Sequence, residues 1–438
     1  MALPDPLPIE PIAGPLDADV RLPGSKSLTN RARVCAALAD GTSELTGALE
    51  ADDTLAMVDG LRSLGVAVEA DWPAERLVVH GCHGRPPAEL AIVDARLSGT
   101  TSRFLAPMAA LGVGTYRIDG SLGLRARPMA DLVAALRALA VTVTEVGAPG
   151  HLPIEVSDGP VAGGPVRIPG DTSSQFASGL LLAGPAMRTG LLIHIPGPLV
   201  SQPYLDMTVA VMAAFGVDVV TEVPQTWSVP PGAYRATHYA IEPDASAASY
   251  AFAAAAIVGG RVTVAGLGAR TLQGDHRFVD LLARMGAEVD QTDARTTVRG
   301  TGTLHGIEAD LSQISDVAQT LAVVAAFADS PTRVTGIGFI RGKETDRVGN
   351  VVAELRRAGI DAEEEADGYV VRPGPVGRAT IATYDDHRMA MAFALLGLRA
   401  PGIRIADPGC VAKTFPGYWA MLQGLRDGGP APTRVPAS

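Results

Sequence analysis

Val58-Asp59-Gly60-Leu61-Arg62-Ser63-Leu64-Gly65-Val66 reads as the end of a helix that stops on a glycine and passes directly into an extended apolar run. Glycine just past a periodic segment is a common helix stop, because it takes the left-handed conformation without strain. The pattern returns at 132–141, 208–217, 278–287, 351–360 and, in degenerate form, 418–428. Its markers Gly65, Ala140, Gly216, Gly286, Gly359 and Gly428 stand 69 to 76 residues apart. A second marker keeps step with the first, because each unit also holds an apolar helix that opens on small polar residues. The openings are Ser25-Lys26-Ser27, Ser98-Gly99-Thr100, Thr172-Ser173-Ser174, Ala245-Ser246, Ser315-Asp316 and Asp385-Asp386-His387. Taken at Ser27, Thr100, Ser173, Ser246, Asp316 and Asp386, they recur at intervals of 70 or 73 residues.

Strand-like segments such as Tyr116-Arg117-Ile118, Leu191-Leu192-Ile193 and Ile403-Arg404-Ile405 lie between the two helices of a unit. A repeat of this length that mixes helix and strand predicts six α/β modules whose apolar helices build shared cores. A break near Ala240 divides them three and three. The expected domains are 1–22 plus 241–438 and 23–240, with 1–22 supplying a strand to one half and 430–438 a loose tail.

A chain of 438 residues with 47% apolar and 19% charged residues has ample core for two or three domains. The net charge of −11 argues against non-specific nucleic-acid binding and against an anionic membrane surface. Aromatics at 5% suit close helix packing better than nucleobase stacking. The proline-rich, acidic start has neither a basic nor an apolar leader region, and the uncharged run 245–260 is short for a membrane span. Three widely spaced cysteines, Cys35, Cys82 and Cys410, predict reduced thiols and a cytoplasmic protein. His80-Gly81-Cys82-His83 lacks a second ligand pair at metal spacing and reads as a turn. Glu363-Glu364-Glu365 reads as a solvated strand edge.

The chemistry gathers at the helix openings. Leu22-Pro23-Gly24-Ser25-Lys26-Ser27-Leu28-Thr29-Asn30-Arg31 sets two cations and several hydroxyls at a helix start, where unpaired N–H groups and the macrodipole favour anions. It is not a P-loop, because the Gly-Lys-Ser order and the upstream glycine spacing are absent. Other openings carry Gly99, Ser173-Ser174-Gln175, Asp316 and His387-Arg388. The second helix set carries Arg127, Ser201 with Tyr204, Lys343-Glu344-Thr345-Asp346-Arg347 and Lys413. If the halves face each other, these termini converge on a cleft for more than one anion. Arg and Lys would supply charge and bidentate donors, Ser173, Ser174 and Ser201 hydroxyls for phosphate, and Asp316 and Glu344 carboxylates for proton transfer. For Asp346 and Arg103 the expected role is a helix cap or a surface ion pair.

These motifs resemble 5-enolpyruvylshikimate-3-phosphate synthases along essentially the whole chain. The residues that carry the resemblance are Leu22-Pro23-Gly24-Ser25-Lys26-Ser27, Ser173-Ser174-Gln175-Phe176, Lys343-Glu344-Thr345-Asp346-Arg347, Asp386-His387-Arg388-Met389-Ala390-Met391 and Ala412-Lys413-Thr414-Phe415-Pro416. The resemblance implies an inside-out α/β barrel pair, two domains of three βαβαββ units each. It also implies transfer of the enolpyruvyl group from phosphoenolpyruvate to the 5-hydroxyl of shikimate 3-phosphate, without metal or cofactor.

By motif position, Ser173, Ser174 and Ser201 hold the shikimate phosphate, and Ser27, Arg31, Gln175 and Tyr204 surround the ring. Lys26, Gly99, Arg127, Gln175, Arg347, Arg388 and Lys413 hold phosphoenolpyruvate. Asp316 accepts the hydroxyl proton, Lys343 lies beside the shikimate substrate, Lys26 and Glu344 move the other protons, and His387 completes the catalytic set. Closure of the two domains and a monomeric protein are expected. The chain departs from the usual family pattern at Leu97-Ser98-Gly99-Thr100-Thr101-Ser102-Arg103-Phe104, where many members have Asn-Ala-Gly-Thr and a proline after the arginine. It departs again at Phe339, a place often held by a polar residue.

Two alternatives stand beside this reading. The sister transferase acting on UDP-N-acetylglucosamine usually carries Lys-Asn near its start and a Cys or Asp in a loop before its Arg-Pro; this chain has Lys26-Ser27 and no such residue in 120–128. A non-catalytic relative that binds a phosphorylated metabolite would not need Lys26, Asp316, Glu344 and His387 together.

Overall fold

The computed structural model describes residues 3–427 apart from 158, 160 and 222; Gly428 and the tail read over 430–438 lie outside the described residues. The chain forms two units, Met1–Pro23 with Pro243–Ser438, and Gly24–Glu242. The boundaries fall one and two residues beyond those read from the sequence, and backbone bonds fix them. Asp244 N donates to Pro23 O (2.9 Å) within the first unit, and Ser25 N to Glu242 O (2.8 Å) within the second.

In the Gly24–Glu242 unit, the middle module is complete in sequence. Leu90–Asp94 pairs parallel with Thr115–Asp119, which pairs antiparallel with Ile154–Ser157, which carries Thr142–Glu145 on its far side. Strands Gly164–Arg167, Leu191–His194 and Thr226–Val229 repeat the plan. The first module is not contiguous. Thr42–Thr46, Arg76–His80 and Ala67–Asp71 are completed by His238–Ala240, which arrives from the far end of the unit to pair parallel with Thr42–Thr46.

The other unit borrows strands as well. Leu16–Val20 pairs parallel with Gly260–Ala265, beside Arg295–Gly300 and Glu288–Gln291. Leu7–Pro8 pairs antiparallel with Ile403–Ile405, whose other neighbour is Ala379–Ile381. Between them in sequence, Glu308–Asp310, Thr332–Thr335, Gly368–Arg372 and Asp361–Glu365 form a complete module. The segment 1–22 thus supplies two strands, both to this unit, where one strand was expected, and three of the six modules close with a strand from a distant part of the chain. Leu7–Pro8 and His238–Ala240 span two and three residues, too short to show period-2 alternation.

Three helices in each unit form its buried centre. Lys26–Leu38, Gly99–Ala109 and Ser174–Ala183 pack on one another and are almost wholly buried, as are Ala245–Val258, Ala318–Ala325 and His387–Gly397 in the other unit. Strands alternate instead: in Leu16–Val20 the residues Leu16, Ala18 and Val20 are buried and Asp17 and Asp19 exposed. The abundance of alanine lets the inner helices approach closely at crystal-like density. No described helix is long and apolar enough to cross a membrane.

Candidate active site

The Gly24–Glu242 unit sets its polar groups at the starts of its buried helices. Ser25 caps Lys26–Leu38 by accepting from Leu28 N, which leaves Lys26 and Ser27 in the first turn. Lys26 Nζ lies 3.3 Å from Asp53 Oδ2, a carboxylate only 3% exposed at the start of Asp52–Ser63. Arg31 is buried one turn further on. Its guanidinium donates to Thr208 Oγ1 (2.8 Å), Ser27 O (3.0 Å) and Tyr204 O (3.1 Å), and it lies over the Phe104 and Tyr204 rings. Burial lowers its pKa to about 10, so it remains a cation at neutral pH, and these hydrogen-bond partners are all neutral. A buried cation solvated by neutral groups leaves a positive potential for an anionic or hydroxyl-rich ligand.

Ser98 caps Gly99–Ala109 (Thr101 N to Ser98 Oγ, 3.3 Å). A Cβ built on Gly99 would stand 2.9 Å from Nη1 of Arg127, so the absence of a side chain is what admits that guanidinium to the helix start. Ser173 caps Ser174–Ala183 by accepting from Gln175 N. Ser201 precedes Gln202–Ala214 at φ 56°, a left-handed conformation costly for a non-glycine residue. Arg103 is corrected from its expected surface role. It is buried, donates to Gln175 Oε1 (2.8 Å) and Pro128 O (3.2 Å), and stacks over Phe176 at 4.9 Å. It therefore fixes which face of the Gln175 amide is presented.

The other unit builds a denser charge cluster. Asp316 sits in the 3-10 turn Ser315–Val317 that opens Ala318–Ala325. Its carboxylate accepts from Lys343 Nζ (3.3 Å), Arg347 Nη1 (3.3 Å) and Arg388 Nη2 (2.7 Å). Glu344 faces Arg347 Nη2 (2.9 Å) and Lys413 Nζ (3.3 Å). Arg347, 2% exposed, makes a forked pair with Asp386 (Nε to Oδ2 2.7 Å, Nη2 to Oδ1 3.1 Å). Burial opposes its charge, but Asp386, Glu344 and Asp316 together raise its pKa above the ordinary value. Asp386 also caps His387–Gly397 through Arg388 N (2.9 Å). The Phe339 ring lies 5.8 Å from Lys343 Nζ and so gives that ammonium an aromatic face.

His387 borders this network, with Nδ1 3.5 Å from Asp386 Oδ1. It is 1% exposed, and neither ring nitrogen makes a hydrogen bond among the described residues. Burial, then Lys413 and Arg388, hold its pKa well below the ordinary value, which favours the neutral imidazole. Asp346 behaves as expected, accepting from Val348 N, Gly349 N and Arg341.

Each unit thus gathers its own half of the sequence-read residues. Sequence reasoning missed Asp53, the partner of Lys26, and Asp275. Asp275 is buried, bonded by Ser246, and pushed up to about 6 by burial and then by the Asp316 charge. Asp53 lies in an ordinary acidic first turn and Asp275 in Gln273-Gly274-Asp275, and neither setting distinguishes a functional carboxylate in a linear reading. Among the described residues no group of three or more His, Cys, Asp or Glu could hold a metal ion.

A family model for EPSP synthase (3-phosphoshikimate 1-carboxyvinyltransferase) matches residues 11–422. The chain is 44% identical to a 3-phosphoshikimate 1-carboxyvinyltransferase of Nostoc punctiforme, covering 95% of this chain and 98% of that protein. It is 40% identical to one of Vibrio campbellii, covering 96% and 99%. A solved EPSP synthase structure from Acinetobacter baumannii superposes with a TM-score of 0.81 at 28% identity, covering 95% of this chain and 97% of the other.

Proposed function

The chain belongs to the EPSP synthase family, and on that premise we propose how its residues divide the work of the reaction. The protein transfers the enolpyruvyl group of phosphoenolpyruvate to shikimate 3-phosphate and releases phosphate, a step of aromatic amino acid biosynthesis. The observation that carries the residue assignment is the Asp316 carboxylate held among Lys343, Arg347 and Arg388, beside Glu344 held by Arg347 and Lys413. Proton transfer between polyanionic substrates needs carboxylates embedded among cations.

Asp316 takes the proton of the 5-hydroxyl as its oxygen attacks C2 of phosphoenolpyruvate. A proton delivered to C3 turns the methylene into a methyl group and gives a tetrahedral intermediate. Elimination returns a proton from that methyl, reforms the double bond and expels phosphate from C2. Lys26 and Glu344 carry these two transfers, and Arg347, Arg388, Arg127 and Lys413 stabilise charge on the carboxylate and the leaving phosphate. Ser173, Ser174 and Ser201 hold the shikimate phosphate, with Ser27, Arg31, Gln175 and Tyr204 around the ring. Gly99 makes room at its helix start on the phosphoenolpyruvate side.

Asp316→Asn keeps the shape of the side chain and removes the base. It should bind both substrates, measured by calorimetry, yet lose turnover by about 10²-fold or more. Unaltered turnover would remove Asp316 from the mechanism.

A further inference from the structure

Glu354 touches none of the groups assigned above, yet among the described carboxylates only it and Asp386 have no exposed surface. It lies on the buried face of Gly349–Arg357 beside Val351, Val352 and Leu355. An ion pair with Arg357, three residues on and half exposed, would not require a carboxylate to be buried (Nε to Oε2, 3.0 Å). The remaining bonds give the reason. Glu354 Oε2 accepts from Ala382 N (3.0 Å), and Oε1 accepts from the Tyr384 hydroxyl (2.8 Å). Both donors belong to the short segment that joins strand Ala379–Ile381 to helix His387–Gly397.

That segment carries backbone strain. Tyr384 and Asp385 stand consecutively at φ 55° and 56°, the left-handed region, which aspartate tolerates but a bulky side chain such as that of Tyr384 rarely adopts. The pair reverses the chain, closed by Asp386 N to Thr383 O (2.9 Å), so that Asp386 faces both the Arg347 fork and Arg388 N. Arg347 precedes helix Gly349–Arg357 and Glu354 follows two turns later, so one helix fastens the segment at two points. Strained conformations persist where surrounding contacts over-determine them, and they concentrate at functional sites.

We propose that Glu354 is a positioning residue for the phosphoenolpyruvate side of the site. By fixing Ala382 and Tyr384 it holds the left-handed pair, and so sets the direction in which Asp386 and Arg388 are presented. This rests on the assignment of Arg347 and Arg388 to phosphoenolpyruvate. Removing the Glu354 carboxylate lets the pair relax toward ordinary backbone, which shifts Arg388 and loosens the Arg347–Asp386 fork without touching any ligand-binding atom directly.

The test uses the full-length protein with Glu354→Ala, Glu354→Gln and Tyr384→Phe, reading kcat and KM for each substrate together with Tm. Glu354→Ala should raise the KM for phosphoenolpyruvate by about tenfold, with kcat and the KM for shikimate 3-phosphate within about threefold. Glu354→Gln, which keeps one acceptor oxygen, should recover part of that loss, and Tyr384→Phe should shift the same constant by a smaller factor. A folded Glu354→Ala protein with a lowered Tm and unchanged constants for both substrates overturns the proposal, because its role is then only structural. If that variant does not fold, an unchanged phosphoenolpyruvate KM in Tyr384→Phe overturns it equally. A rise confined to shikimate 3-phosphate would keep Glu354 as a positioning residue and overturn the assignment of the Arg388 side instead.

Discussion

At the scale of single residues, the neutral, buried state of His387 has a consequence for stability. Its folded pKa is depressed while the unfolded chain titrates near the ordinary value of about 6.5. The unfolded state therefore takes up a proton first, and stability present above about pH 6.5 is lost as pH falls, by up to about 1.4 kcal/mol per pH unit. Denaturant unfolding of His387→Asn should show a shallower decline between neutral pH and pH 5 than the parent; equal slopes would contradict the burial argument. Gly99→Ala places a methyl group 2.9 Å from Arg127 Nη1 and should raise the KM for phosphoenolpyruvate by about tenfold. An unchanged KM would remove Arg127 from that substrate. Much of this level is legible in the sequence, because the cations and hydroxyls sit in ordered motifs. What the sequence does not reveal is pairing. Arg103 reads as a surface cation until Gln175, far along the chain, is seen to meet it, and Asp53 reads as a routine acidic first turn until Lys26 is seen above it.

At the scale of elements, the openings of the buried helices carry part of the proposed site. In the first of them Gly24 has no room for a side chain: a Cβ would stand 1.8 Å from the backbone oxygen of Gly47, which cannot turn away. Gly24→Ala should therefore displace the start of Lys26–Leu38 and lower stability by about 1–3 kcal/mol, visible as a fall in Tm. Ser25→Ala should cost about 1 kcal/mol through loss of the cap alone. A Gly24→Ala loss no larger than that of Ser25→Ala would contradict the steric reading. The helices and their glycine stops are clear in the sequence because their apolar period is sustained. Glu363-Glu364-Glu365 also lies where its charge places it, on the edge strand Asp361–Glu365, paired with Arg372, Arg341 and Arg333. The left-handed residues Ser201 and Tyr384 are not legible, since nothing in their side chains favours φ above zero, whereas Asp385 is of a type that tolerates it. Tertiary contacts impose it.

At the scale of the whole molecule, the 70- to 76-residue spacing of helix markers between Gly65 and Gly359 reveals the sixfold organisation, because each module repeats the same two-helix plan. The borrowed strands Leu7–Pro8, Leu16–Val20 and His238–Ala240 escape it, since their partners lie hundreds of residues away or at the opposite end of a unit. Each unit carries a different share of the chemistry: neutral-solvated Arg31 and the serine-capped helix starts in one, the Asp316 and Glu344 charge cluster in the other. Phosphate release from phosphoenolpyruvate by the purified, full-length protein tests the account most directly, measured with shikimate 3-phosphate, with UDP-N-acetylglucosamine and with neither. Release that requires shikimate 3-phosphate is the predicted result. Release with UDP-N-acetylglucosamine instead, or tight binding of shikimate 3-phosphate without turnover, would contradict it.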